Sequence, residues 1–288
     1  MTGTSAETIY QVARAARFSR RPVLAGAISF LFFVLIVATQ RDAHAASINY
    51  GNFMGNTVTF VDVTEASNSG DPIPLFGAPT VSADSLDFDP VGFSAHASGA
   101  AGVDLTDGNL KFMVVAKPDN FISNMVLSEA GDTTLAGFGT DATFTAVRAT
   151  GVLNISEVDG VPINVIAESF SMTFTPSGGT YGLLSDGGGG PLFNETWSGG
   201  ITLDIDSILT ANGVPFTKGA TKISINLDNT LIALSQAGTS SLIAKKNFGG
   251  LSITVNIPGG EIPEPTSLLL LSLVGLGFVA SRGTRGRG

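Results

Sequence analysis

The chain has 288 residues, 36 of them glycine and none cysteine, with 14% charged residues and a formal net charge of −9. The charged share is well below the ~25% usual for soluble domains, and the missing thiols exclude a disulfide framework, a thiolate nucleophile and a cysteine metal site. Between residues 46 and 265 there are seven basic against 22 acidic side chains, which excludes nucleic acid as a partner, because such binding needs a positive footprint.

The first 22 residues are polar and carry Arg14, Arg17, Arg20 and Arg21. The uncharged run VLAGAISFLFFVLIVA follows at 23–38, then Ala43-His44-Ala45 and Ala46. Basic, apolar and small-residue regions in that order read as a secretory signal peptide over 1–45, a short helix cut by signal peptidase between Ala45 and Ala46. As a permanent anchor the run is short: at 1.5 Å per residue it rises about 24 Å, against a hydrocarbon core of about 30 Å. The pair Arg20-Arg21 leaves twin-arginine export open beside the general secretory route.

From Ser47 to about Pro258 the period is two. Phe170, Met172 and Phe174 alternate with Ser171, Thr173 and Thr175. Ile201, Leu203 and Ile205 alternate with Thr202, Asp204 and Asp206, Ile223, Ile225 and Leu227 with Ser224, Asn226 and Asp228, and Leu251, Ile253, Val255 and Ile257 with Ser252, Thr254 and Asn256. Such alternation predicts strands with one buried and one wet face, the pattern of antiparallel sheets. Turn signals recur at NSGDP (68), TDGN (106), EAGD (129), VDGVP (158), SDGGGG (185) and ANGVP (211), and Asp-Gly or Asn-Gly between alternating runs predicts hairpins. The one helical candidate is a short turn near 207–211. The fold class expected for 46–258 is therefore all-β, an antiparallel β-sandwich with jelly-roll-like connections. A closed barrel is the alternative. An outer-membrane barrel is disfavoured, because the outward positions carry Asp, Asn, Ser and Lys rather than a lipid-facing apolar band.

Residues 259–288 form a linker and a terminal signal: Pro263-Glu264-Pro265, the uncharged span 267–280, and the tail 282–288 with Arg282, Arg285 and Arg287. Arginines flanking a membrane span mark its cytoplasmic side, so both termini place everything between them outside the inner membrane. The prolines hold the chain extended where it leaves the bilayer and expose the Glu264 carboxylate. Tripeptide, transmembrane helix and basic tail together resemble the PEP-CTERM sorting signal of exported bacterial proteins. The resemblance implies recognition by exosortase, removal of the tail, and release to or attachment at the cell surface. It covers only these last residues.

Chemistry inside the body is sparse by residue type. Loss of the signal peptide removes His44 and leaves His96, the only candidate base for a Ser-His-Asp triad, with no nucleophile elbow beside it. Zinc wants three or four N/S ligands. Two groups, Asp84, Asp87 and Asp89, then Asp104, Asp107 and Asn109, place oxygen ligands where short loops are expected, and are the calcium candidates, although neither matches an EF-hand. Trp197 is the candidate sugar-stacking residue. No other cofactor is expected. The favoured reading is a non-enzymatic, exosortase-processed structural or adhesive protein of the cell surface or extracellular matrix. The second is a carbohydrate- or calcium-binding module on exopolysaccharide, and a secreted hydrolase using two carboxylates is a remote third.

Overall fold

The computed structural model describes residues 47–100 and 102–246, and the backbone of 251–256. The expected signal peptide over 1–45 with its cut between Ala45 and Ala46, the motif Pro263-Glu264-Pro265, the span 267–280 and the tail 282–288 lie outside the described residues. No helix among the described residues is long and apolar enough to cross a membrane.

In chain order the strands begin with β1 (Ser47–Met54), β2 (Val58–Ser67), β3 (Thr80–Ser82), β4 (Ser85–Phe88), β5 (Ser94–Ser98), β6 (Gly102–Ala116) and β7 (Asn124–Ala136). They continue with β8 (Phe144–Val158), β9 (Val161–Ser171), β10 (Thr173–Thr175), β11 (Thr180–Gly182) and β12 (Leu192–Asp204). A short helix α1 (Ile205–Ala211) precedes β13 (Ala220–Ser235), β14 (Ser240–Lys245) and β15 (Leu251–Asn256). One sheet runs β1-β2-β6-β13-β8, with β9 and β11 sharing the outer edge of β8. The other runs β10-β12-β7, and β7 gives its far edge first to β15, which leads to β4 and β3, and then to β14, which leads to β5. Every pairing is antiparallel.

The alternation read from the sequence is realised most cleanly in β13. Ile223, Ile225, Leu227, Leu231 and Ala233 are buried, while Ser224, Asn226, Asp228 and Thr230 are on the wetter face. Buried residues of both sheets form one cluster, with Phe60 edge-on to Phe112 and Phe76 edge-on to Phe88 and Phe93. Each fully buried Leu, Ile or Phe contributes about 1.5–3 kcal/mol relative to exposure. The segment between β2 and β3 also folds inward: Glu65 accepts the backbone N–H groups of Leu75 (2.7 Å), Phe76 (3.1 Å) and Gly77 (2.9 Å), and the Tyr50 hydroxyl at 3.0 Å. That carboxylate draws Phe76 into the core.

Several turn signals behave otherwise than expected. VDGVP does make the β8–β9 hairpin around Asp159-Gly160. TDGN lies inside β6 and EAGD inside β7. Their glycines are sites of close approach rather than turns: a Cβ on Gly108 would lie 2.7 Å from the Phe93 ring, and one on Gly131 would lie 2.6 Å from Trp197 Cε2. ANGVP closes α1 instead of a hairpin. The alternation through Ile205 and Asp206 also stops early. Asp204 accepts from Ser207 N (2.9 Å) and Ser207 Oγ (2.7 Å) as an N-cap, and Ile205 and Leu209, one helical turn apart, are buried together.

Because Gly131 is hemmed by an aromatic ring and the Ala244 carbonyl, Gly131→Ala is expected to overpack this layer and lower stability by about 1–3 kcal/mol or more. Urea denaturation followed by Trp197 fluorescence checks it.

Candidate functional site

Three polar side chains stand in stripes that are otherwise apolar or small. The core-facing residues of β7 are Met125, Leu127, Glu129, Gly131, Thr133 and Leu135. Those of β13 include Leu227, Asn229 and Leu231, and those of β14 are Ser241, Ile243 and Lys245. Since β7 and β14 are neighbours in one sheet and β13 lies in the other, Glu129, Lys245 and Asn229 meet between the layers. Lys245 Nζ donates to Glu129 Oε2, with both side chains wholly buried. Asn229 Nδ2 donates to the same oxygen at 2.8 Å. Oε1 of Glu129, Oδ1 of Asn229 and Nε1 of Trp197 have no hydrogen-bond partner among the described residues.

The register explains the arrangement. Gly131 pairs with Trp197 on one side and with Lys245 on the other. The missing side chain at the middle of this row lets the indole and the lysine meet above it. Lys245 Nζ is 5.2 Å from the centroid of Phe93, 5.9 Å from Phe76 and 6.0 Å from Trp197. Burial holds the Lys245 ammonium below the usual lysine range, against the opposing pull of Glu129. The site is a buried, aromatic-walled cluster of an amine, a carboxylate and a carboxamide.

A second, shallower feature lies on the outer face of the other sheet. An open groove is lined by Asn68, Asn109, Ser169, Phe170, Asn226 and Asp228. Asn109 Nδ2 donates to Asn226 Oδ1 at 2.7 Å, and Asn68 Nδ2 to Asp228 Oδ1 at 3.1 Å.

The calcium candidates are not brought together. Among the described residues no group of three or more His, Cys, Asp or Glu could hold a metal ion. Asp84 sits on the β3–β4 turn and accepts from Thr57 N (2.8 Å) and Thr57 Oγ1 (2.6 Å). Asp87 and Asp89 share an exposed side of and beyond β4, where burial and their mutual repulsion hold Asp87 above the usual carboxylate range. Asp104, Asp107 and Asn109 lie along β6 rather than on a loop, and strand alternation sends Asp104 to the opposite face from Asp107 and Asn109. Asp104 accepts from His96 N at 2.8 Å. His96 itself is exposed on β5. Trp197 is no stacking platform: it is 2% exposed and edge-on to Phe174, 6.0 Å between centroids.

Many of the remaining carboxylates act as clamps on backbone. Asp141 accepts from Leu184 N and Ser185 N at 2.8 and 2.9 Å. Asp159, in the β8–β9 turn, accepts from Thr217 N (2.6 Å), Lys218 N (2.8 Å), Gly219 N (2.9 Å) and Thr217 Oγ1 (2.9 Å). The backbone bonds, that from Gly219 foremost, hold its carboxyl far below the usual range.

Residues 261–285 match the PEP-CTERM protein-sorting motif. The motif marks an exported chain, sorted by exosortase and membrane-anchored before processing. No curated protein is detectably similar. Among solved structures, one of infectious bursal disease virus, Gt strain, is 12% identical, with a TM-score of 0.13 over 86% of this chain and 63% of the viral one. The VP2 subviral particle of the same virus is 11% identical, with a TM-score of 0.12 over 85% and 63%. The chain thus spans about three-fifths of those viral chains, and likeness at that level carries no argument.

The depressed Asp159 carboxyl has a definite pH signature. A group whose folded pKa lies below its unfolded value stabilises the fold above the ordinary carboxylate range, near pH ~4, and loses that contribution as the pH falls toward the folded pKa. Asp159→Asn is expected to melt below the wild type at neutral pH, with the gap closing in acid. Thermal melts at several pH values check the sign.

Proposed function

We propose that the chain enters the envelope through a cleaved signal peptide over 1–45 and is held in the inner membrane by 267–280. Exosortase then acts on it at Pro263-Glu264-Pro265. The body serves as a non-enzymatic structural or adhesive β-sandwich at the cell surface or in the extracellular matrix. The observation that carries this reading is the sorting motif at 261–285. The body's chemistry supports the passive role: Glu65, Asp84, Asp141, Asp159 and Asp204 each hold backbone N–H groups in place. A carboxylate so engaged stabilises a loop and is poorly placed to move a proton on a substrate.

A second reading, a polysaccharide-docking module, rests on the amide- and hydroxyl-lined groove at Asn109, Ser169 and Asn226. Side chains of that kind can exchange hydrogen bonds with sugar hydroxyls. Titration calorimetry with the host's exopolysaccharide separates the two. Heat that disappears in Asn226→Ala supports docking, and no heat leaves the structural role.

The first reading is tested by intact mass of the chain from surface and medium fractions, with and without the exosortase gene. Loss of both ends is expected only when the enzyme is present, and Glu264→Ala is expected to retain the tail. A chain that keeps residue 288 in both strains overturns the reading.

A further inference from the structure

The chamber at Glu129 assembles the three groups an amide exchange needs. An amine, a carboxamide and a proton carrier converge on one atom, Glu129 Oε2, which accepts from both Lys245 Nζ and Asn229 Nδ2. The carbon bonded to Nδ2 is Asn229 Cγ, so an electrophilic carbon lies one bond from the nitrogen that shares the amine's acceptor. The lone pairs of Asn229 Oδ1 and Glu129 Oε1 are not engaged by any group among the described residues. Burial favours the neutral, nucleophilic form of the amine. We propose that Lys245 and Asn229 become joined by an intrachain amide bond, with Glu129 carrying the protons, so that β13 of one sheet is fastened covalently to β14 of the other.

The step balances within the chain apart from one product. Lys245 Nζ passes a proton to Glu129, and its lone pair attacks Asn229 Cγ. The Cγ–Nζ bond forms and the Cγ–Nδ2 bond breaks. Nζ gives up a second proton through the same carboxylate, and both protons leave with Nδ2 as ammonium. A lysine ammonium and a carboxamide thus become a secondary amide and an ammonium ion. No oxidant or other co-reactant is consumed, and Glu129 ends in its starting state. Uncatalysed exchange of an amine with an amide is slow in water. Here both reactants are held on one carboxylate oxygen, and well-oriented intramolecular reactants reach effective molarities of about 10⁵–10⁸ M. Asn229, Glu129 and Lys245 are all buried, which limits the access of water that would otherwise hydrolyse the carboxamide. The bond also answers a need of this chain, which is exported and has no cysteine with which to form a disulfide.

Trypsin provides the test, because Asn229 and Lys245 fall in one stretch between Lys222 and Lys246. The full-length wild-type chain is purified folded, then denatured and digested. Cleavage after Lys245 is expected to fail. Residues 223–246 are expected as a looped peptide lighter by about 17 Da, the mass of ammonia, with no backbone fragments between 229 and 245. A cyclised asparagine would lose the same mass but would leave Lys245 cleavable and the peptide linear, and that outcome refutes the cross-link. Glu129→Gln and Lys245→Met are expected to yield this stretch at full mass and to melt below the wild type. An unmodified, linear 223–245 peptide from folded wild type overturns the proposal, and this readout does not depend on whether the variants fold. Exosortase processing is read separately from the chain ends, so either result stands without the other.

Discussion

A charged pair buried between two sheets is the constraint around which this core is built. Taking an ammonium and a carboxylate out of water costs several kcal/mol per ion, and their attraction repays it only with good geometry and further hydrogen bonds. The neighbourhood supplies part of that compensation. Asn229 reaches across from β13 to the Glu129 carboxylate. Phe93, Phe76 and Trp197 present their rings to the ammonium, an arrangement worth about 2 kcal/mol when desolvated. Gly131 gives the indole and the lysine room to approach. Glu65 fixes the backbone of residues 75–77 and so delivers the Phe76 ring. Gly108 leaves space for the rings of Phe76 and Phe93. Residues far apart in sequence are thus chosen for one chamber.

Stability alone does not account for such a site. Replacing a buried ion pair by apolar residues of similar volume is often neutral or stabilising, and three polar atoms here are without partners among the described residues. A core selected only for burial would place Leu or Met at 129 and 245. Polar groups kept under these conditions point to specificity or to chemistry. The reactive pairing of amine and carboxamide distinguishes the second, because a register-fixing role would be met by a fully satisfied network.

The sequence announced the layers and concealed the chamber. Strict alternation makes β13 legible from its residues alone, because period two with one wet face is the direct imprint of a half-buried antiparallel strand. The PEP tripeptide, apolar span and basic tail are legible for a different reason: a processing enzyme reads them as a contiguous stretch, so the whole signal lies in one piece of sequence. EAGD and TDGN mislead because Asp-Gly and Ala-Gly dipeptides look the same whether the glycine turns the chain or makes room for an aromatic ring. Which it does depends on a strand far away, Trp197 on β12 or Phe93 before β5. The calcium candidates are spread over different faces for a similar reason, since proximity in sequence does not say which face of a strand each carboxylate takes. A usable signal for Glu129, Asn229 and Lys245 does exist. Each sits at a core position of an otherwise apolar or small-residue stripe, and a polar residue that keeps the inward phase is a stronger clue than a carboxylate in a turn.

The division between inside and outside then follows from charge. Acidic side chains on the surface cap loops and keep the body strongly anionic, whereas the interior holds Glu129 against the one lysine buried among the described residues. An exported β body held by hydrophobic contact alone can open at its sheet–sheet interface whenever the buried faces separate. A bond between β13 and β14 changes that, because these consecutive strands lie in different sheets and the linkage closes the loop between them through the core. Separation would then require breaking a covalent bond rather than wetting a surface. In the structural role proposed above such a bond would resist load, and it is one route to a covalent tie open to a chain without cysteine.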